Sequence, residues 1–96
     1  MRSLRGNMNT DTYVITYDLV NNSDYEALYN AIKSYGAWGR ITESTWVIVT
    51  SRNSAMIRDH LMQFLKPSDR ILVVKTAHAA AWHNTLASNE WVKANI

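Results

Sequence analysis

Three stretches of this chain are apolar on both of their alternating faces, which limits the fold more than any other property. In Thr12 to Tyr17, Ile15 and Tyr17 oppose Val14 and Thr16. In Ser44 to Thr50, Trp46 and Ile48 oppose Val47 and Val49, and in Ile71 to Lys75, Ile71 and Val73 oppose Leu72 and Val74. β-Branched and aromatic residues suit a packed, pleated surface, so each stretch reads as a strand. A sheet with one wet face alternates apolar and polar residues; these do not, and their sheet needs cover on both sides.

Between the strands lie helical patterns. Ser23-Asp24-Tyr25-Glu26 has the form of a capping box, with the Ser23 hydroxyl and the Glu26 carboxylate each satisfying a free amide of the first turn. Tyr25, Leu28, Tyr29, Ile32 and Tyr35 follow at helical spacing, and Gly36 suits the left-handed residue that ends such a helix. Ala37 to Ile41 reads as a short strand, hairpin-linked through Thr42-Glu43, in which Gly39 signals a bulge or a close backbone approach. Asn53 or Ser54 caps a second helix with Ile57, Leu61, Phe64 and Leu65 as its buried stripe, and Lys66-Pro67 ends it.

The order strand, helix, strand, strand, helix, strand predicts an α+β, ferredoxin-like βαββαβ domain. Right-handed crossovers put both helices on one face of a four-stranded antiparallel sheet. The domain is expected over residues 12–76, after a flexible leader at 1–11 and before a tail at 77–96. Met8 offers a tidier start than Met1, which sets residues 1–7 apart as an added or alternative-start segment. In the tail, Ala79-Ala80-Ala81-Trp82 reads as a fifth strand, a helical turn or a docked arm, and Ser88 to Lys93 as a short last helix. Trp82 and Trp91 must bury their rings on this protomer or on a partner. The second sheet face, left bare by the helices, predicts a homodimer packed sheet to sheet, with Tyr17, Trp46 and Trp82 as packing residues.

Ten Lys/Arg against eight Asp/Glu give a net charge of +2, which permits a polyanionic partner without requiring one. The chain has no cysteine, and so no disulfide, thiol nucleophile or thiolate zinc site. No apolar run approaches the ~20 residues that span a bilayer, and no apolar core follows the basic start, so neither a membrane span nor a secretory signal is expected. A cytoplasmic protein fits best.

Asp18 ends the first strand beside Asn21-Asn22-Ser23. Two readings stand: it opens the loop as a turn residue, or it is a metal-binding or general-base carboxylate on a rigid support. Trp38, Arg40 and Arg52, with Arg58 and Arg70, offer stacking and cationic contacts of the kind that suit single strands. His60 reads as a surface residue flanking the second helix. His78 and His83, five apart, share neither a helix face nor a strand face and make no zinc pair. Gly36-Ala37-Trp38-Gly39 has the spacing of a nucleic-acid-clamping GxxG, but a helix cap followed by a bulge explains both glycines.

Ile15-Thr16-Tyr17-Asp18, Ser34-Tyr35-Gly36, Glu43-Ser44-Thr45-Trp46-Val47 and Asp69-Arg70-Ile71-Leu72-Val73 together resemble the small CRISPR-associated adaptation protein. That protein is the dimeric ferredoxin-like partner of the spacer integrase. The same stretches are similar to the virulence-associated protein D ribonucleases. The resemblance covers about residues 12–76. It implies that Asp18 from each of two protomers holds one Mg²⁺ or Mn²⁺ for phosphodiester hydrolysis. Glu43-Ser44-Thr45-Trp46-Val47 stands where the family has Gln-Ser-Val-Phe-Glu, and Asp24, Tyr25 and Glu26 replace its arginine-rich helix. A stand-alone relative, as carried by phages or mobile elements, is therefore implied. Two other functions remain open: a non-catalytic dimeric binder of nucleic acid or protein, and a toxin- or immunity-type protein whose tail docks on a partner.

Overall fold

The computed structural model describes residues 9–20 and 25–96. It contains β1 (Asp11–Asp18), α1 (Glu26–Lys33), β2 (Ala37–Thr42), β3 (Thr45–Thr50), α2 (Ser54–Met62), β4 (Arg70–Lys75) and α3 (Asn89–Asn95). The four strands form one sheet in the order β2-β3-β1-β4, every neighbouring pair antiparallel. This is the ferredoxin-like arrangement expected from the order of elements.

One alternating set of each strand faces α1 and α2. Tyr13, Ile15 and Tyr17 of β1 and Trp46 and Ile48 of β3 form a core with Leu28, Ala31 and Ile32 of α1 and Ile57 and Leu61 of α2. Each fully buried aliphatic side chain here contributes roughly 1.5–3 kcal/mol over leaving it in water. The expected capping box at Ser23 begins within residues 21–24, outside the described residues. At the other end of α1, Gly36 takes φ +87°, as its left-handed role requires. Asn53 caps α2 by accepting from the Met56 amide at 2.9 Å.

α2 stops at Met62, sooner than its apolar stripe suggests. Pro67 pushes Lys66 away from helical geometry. The chain tightens first, with Phe64 N–H donating to Leu61 O and Leu65 N–H to Met62 O, each one residue short of the α-helical span. Phe64 and Leu65 still pack half-buried against the core, from turns rather than from a helix.

The second sheet face is covered in part by the tail. After β4 the chain bends through His78 and Asn84, both at positive φ, and reaches the outer edge of β2. There Leu86 N–H donates to Ile41 O (3.0 Å) and Ala87 N–H to Arg40 O (2.8 Å). A register shift between Arg40 and Thr42 accompanies this docking, and Glu43-Ser44 alone link the paired Thr42 and Thr45. Ser88 then caps α3 by accepting from Trp91 N–H at 3.1 Å. The tail is thus a docked arm ending in a helix, and no fifth strand forms in residues 77–96.

Gly39 is what lets α3 lie down. The Trp91 ring rests on it so closely that an added Cβ would sit 2.5 Å from the indole. Farther along, Thr12 Oγ1 donates to Asn95 O at 2.7 Å. Gly39 pairs with Val47 and Thr12 with Val49, so α3 crosses the half of the face where both valines are buried. Val92 is also buried, whereas Trp82 remains 36% exposed with its N–H directed at Asn89 Oδ1.

The other half of this face is open. Val14 pairs with Val74 and Thr16 with Leu72, and Leu72 and Val74 are 58% and 46% exposed. β4 has β1 on one side and, among the described residues, no strand on the other. Tyr17 and Trp46, expected in a dimer interface, are instead buried beneath α1 and α2 of their own chain. A side chain at position 39 must lift Trp91 off β2, an overpacking cost of roughly 1–3 kcal/mol. Gly39→Val should therefore lower Tm by about 5–15 °C for a domain of this size, with indole emission shifting to the red as α3 undocks; an unchanged melting curve would refute this role.

Candidate functional site

Asp18 occupies the last position of β1, on the same alternating set as Val14 and Thr16. It therefore sits at the rim of the open half-face. Its cross-strand neighbour is Arg70, whose Nη1 lies 2.9 Å from Asp18 Oδ2, with both side chains about 70% exposed. An exposed pair of this kind adds at most about 1 kcal/mol. Among the described residues no three acids or histidines gather as a metal cluster. The Asp18 carboxylate is already engaged by Arg70, and the second acid bordering the depression beside it is Glu43, so fewer than three such ligands gather there among the described residues.

Trp38 and Arg40 come together. They alternate along β2 and face the α1 side, opposite Ile48 and Trp46 respectively. The Arg40 guanidinium lies 4.7 Å from the Tyr29 ring centre and 4.8 Å from that of Trp46. Trp38 packs 5.5 Å from Trp46, and Lys33 Nζ stands 5.2 Å over the Trp38 ring. Arg40 Nη2 donates to Glu43 O at 2.6 Å, while its buried Nε meets no acceptor. Among the described residues no carboxylate pairs with Arg40 or Lys33. Tyr17 ties this group together, its hydroxyl donating to Glu43 O (3.0 Å) and accepting from Trp46 Nε1 (2.9 Å). Burial pushes that hydroxyl above its ordinary value of 10.0, against the opposing pull of the Trp46 N–H and the Arg40 charge.

The remaining candidates lie apart. Arg52 sits 5.8 Å from the Tyr35 ring, just before the start of β2. Arg58 pairs with its neighbour Asp59 and Arg70 with Asp18. His60 is half-buried rather than a surface residue, held between Tyr35 and Phe64 with its Nδ1 2.8 Å from the Tyr35 hydroxyl. Burial raises the Tyr35 hydroxyl above 10.0, opposed by the Arg52 charge. His78 and His83 are exposed, and His78 Nδ1 lies 3.2 Å from Ile96 O.

Sequence reasoning missed Asp69. Its carboxylate accepts from Lys66 N–H (2.8 Å), Val20 N–H (2.9 Å) and the Tyr25 hydroxyl (3.1 Å). These bonds join the loop after β1, the start of α1 and the turn before β4, so they set where Asp18 and Arg70 emerge. The sequence signal is the acid two residues after Pro67, in position to accept from the turn's own amides. No family model matches the chain.

The backbone bonds from Lys66 and Val20, aided by Tyr25, hold the Asp69 carboxyl below its ordinary value of 3.8. A depressed carboxyl stabilises the fold above its unfolded pKa and loses that contribution as pH falls through the folded value. Asp69→Asn should therefore melt at a lower temperature than the parent at neutral pH, with the gap narrowing below pH about 4. Calorimetry across that range checks this; a gap independent of pH would show that charge plays no part.

Proposed function

We propose that this chain is a small, dimeric nucleic-acid-associated protein, like the adaptation-type proteins that its sequence resembles. The observation that carries the reading is the group at the edge of β2. Two cations without acidic partners among the described residues, Lys33 and Arg40, stand beside aromatic rings there, and Trp38 is 36% exposed. Cations neutralise phosphates while aromatic faces accept bases, and together they suit a nucleic acid better than a protein surface. Dimerisation belongs to the open half-face, where Leu72 and Val74 are exposed beside the half-buried Val14.

A second reading, a metal-dependent nuclease, is favoured by one feature: Asp18 stands at the rim of that same half-face. A two-fold partner packed there would bring a second Asp18, and with it the pair of Asp18 carboxylates that one chain lacks. Mg²⁺ or Mn²⁺ belongs to this reading alone.

Two contacting cations per chain, Lys33 and Arg40, should give a slope of about −1.4 for log K against log salt with single strands. Fluorescence anisotropy with labelled oligonucleotides at 50–200 mM salt tests this, and sedimentation with Leu72→Lys tests the dimer. Salt-insensitive or undetectable association would sink the nucleic-acid reading, and a monomeric parent chain the dimer. Mg²⁺-dependent cleavage that falls at least 100-fold in Asp18→Ala, with binding intact, would establish the nuclease; no cleavage in the parent chain would leave a binder.

A further inference from the structure

At the outer edge of β2, the sheet and the docked tail border an open groove of about 310 Å³. Trp38 borders it from the strand, Trp91 from α3, and Leu86 and Ser88 from the segment between, with Arg40 at its side. The tail creates this space. Leu86 and Ala87 are fastened to the carbonyls of Ile41 and Arg40, and Gly39 allows Trp91 to approach the strand. We infer that this slot receives one unpaired nucleobase, which makes the partner of the proposed function single-stranded nucleic acid. The inference rests on that reading and adds the class of strand and the place where a base enters.

Three observations point to a base rather than an apolar side chain. First, the walls are mainly aromatic and aliphatic, and the volume lies at the lower end of small-ligand pockets, enough for a planar ring but not for a base pair in a stack. Second, Trp38 and Trp91 both border the groove, and among the described residues neither indole N–H has a protein acceptor, so both donors are free for solvent or a ligand. Base carbonyls and ring nitrogens are acceptors that such donors suit. Third, among the described residues no acid lines the slot, and Arg40 and Lys33 stand beside Trp38 without carboxylate partners. A phosphate on either side of an inserted base would meet them. An apolar peptide could answer the indole donors with its backbone carbonyls but would bring no negative charge to the two cations.

A duplex would have to unpair and unstack a base to use this slot, at a cost of a few kcal/mol. Single strands carry no such cost and should be preferred by at least tenfold. The full chain is titrated by anisotropy with a labelled oligothymidylate and with a hairpin duplex of equal charge. Trp38→Ala should weaken the single-strand complex roughly five- to a hundred-fold, the effect of losing one stacked base. Leu86→Glu places a negative charge at the mouth of the slot from a position 64% exposed, and so keeps the test open if Trp38→Ala misfolds. It should weaken the same complex with the circular dichroism unchanged. A strand carrying 5-iodouracil should photocrosslink to Trp38 or Trp91. Equal affinity for duplex and single strand, with both variants binding as the parent does, would overturn the slot while leaving the nucleic-acid reading in place. Failure of either nucleic acid to bind at all would overturn both, and displacement of the oligonucleotide by an apolar peptide but not by free nucleotide would assign the slot to a protein partner.

Discussion

The burial of a sheet that is apolar on both sides is the constraint on which the rest of this structure depends. Two amphipathic helices cover one face, as the βαββαβ order dictates. Nothing in that order supplies the second cover, so the chain spends its last segment on it. Trp91 against Gly39 is the contact that makes this work, because a large flat ring seals more strand surface than an aliphatic side chain. It needs a strand residue without a Cβ beneath it.

The partial nature of that cover divides the second face into a sealed half and an open one. The half under α3 is interior in all but position. The remaining half, from Val14 to Asp18, keeps both its apolar surface and its charged rim. A domain that needed only stability would gain by extending the helix over it.

The strands and helices were largely legible because their signals are local. Period-two apolar residues, an Asn cap and a glycine at positive φ each act within a few positions, and each appears where the sequence places it. Gly39 carried the right signal, a close approach, but nothing nearby in the chain identifies Trp91 as the neighbour. The same distance hid Asp69, whose partners Val20 and Tyr25 are joined to it only by folding. Tyr17 and Trp46 were assigned to a dimer interface because apolar patterning tells which residues avoid water and not which surface shields them. The place of Asp18 at the strand's end is a local property, while its engagement with Arg70 depends on β4 pairing beside β1.

The two edges of the sheet differ in what they permit. Part of the β2 edge is already occupied by the Leu86-Ala87 backbone, so another chain finds the Arg40 and Ile41 carbonyls taken there. The β4 edge is unblocked, yet it begins at Arg70 and ends at Lys75, held by Asp18 and Asp11. Basic residues at both ends of a short edge discourage an identical strand from adding beside it. The two edges thus resist a further strand differently, β2 by backbone already paired and β4 by charge. A strand approaching β4 therefore meets charges that salt screens, and the core beneath takes no part in that resistance.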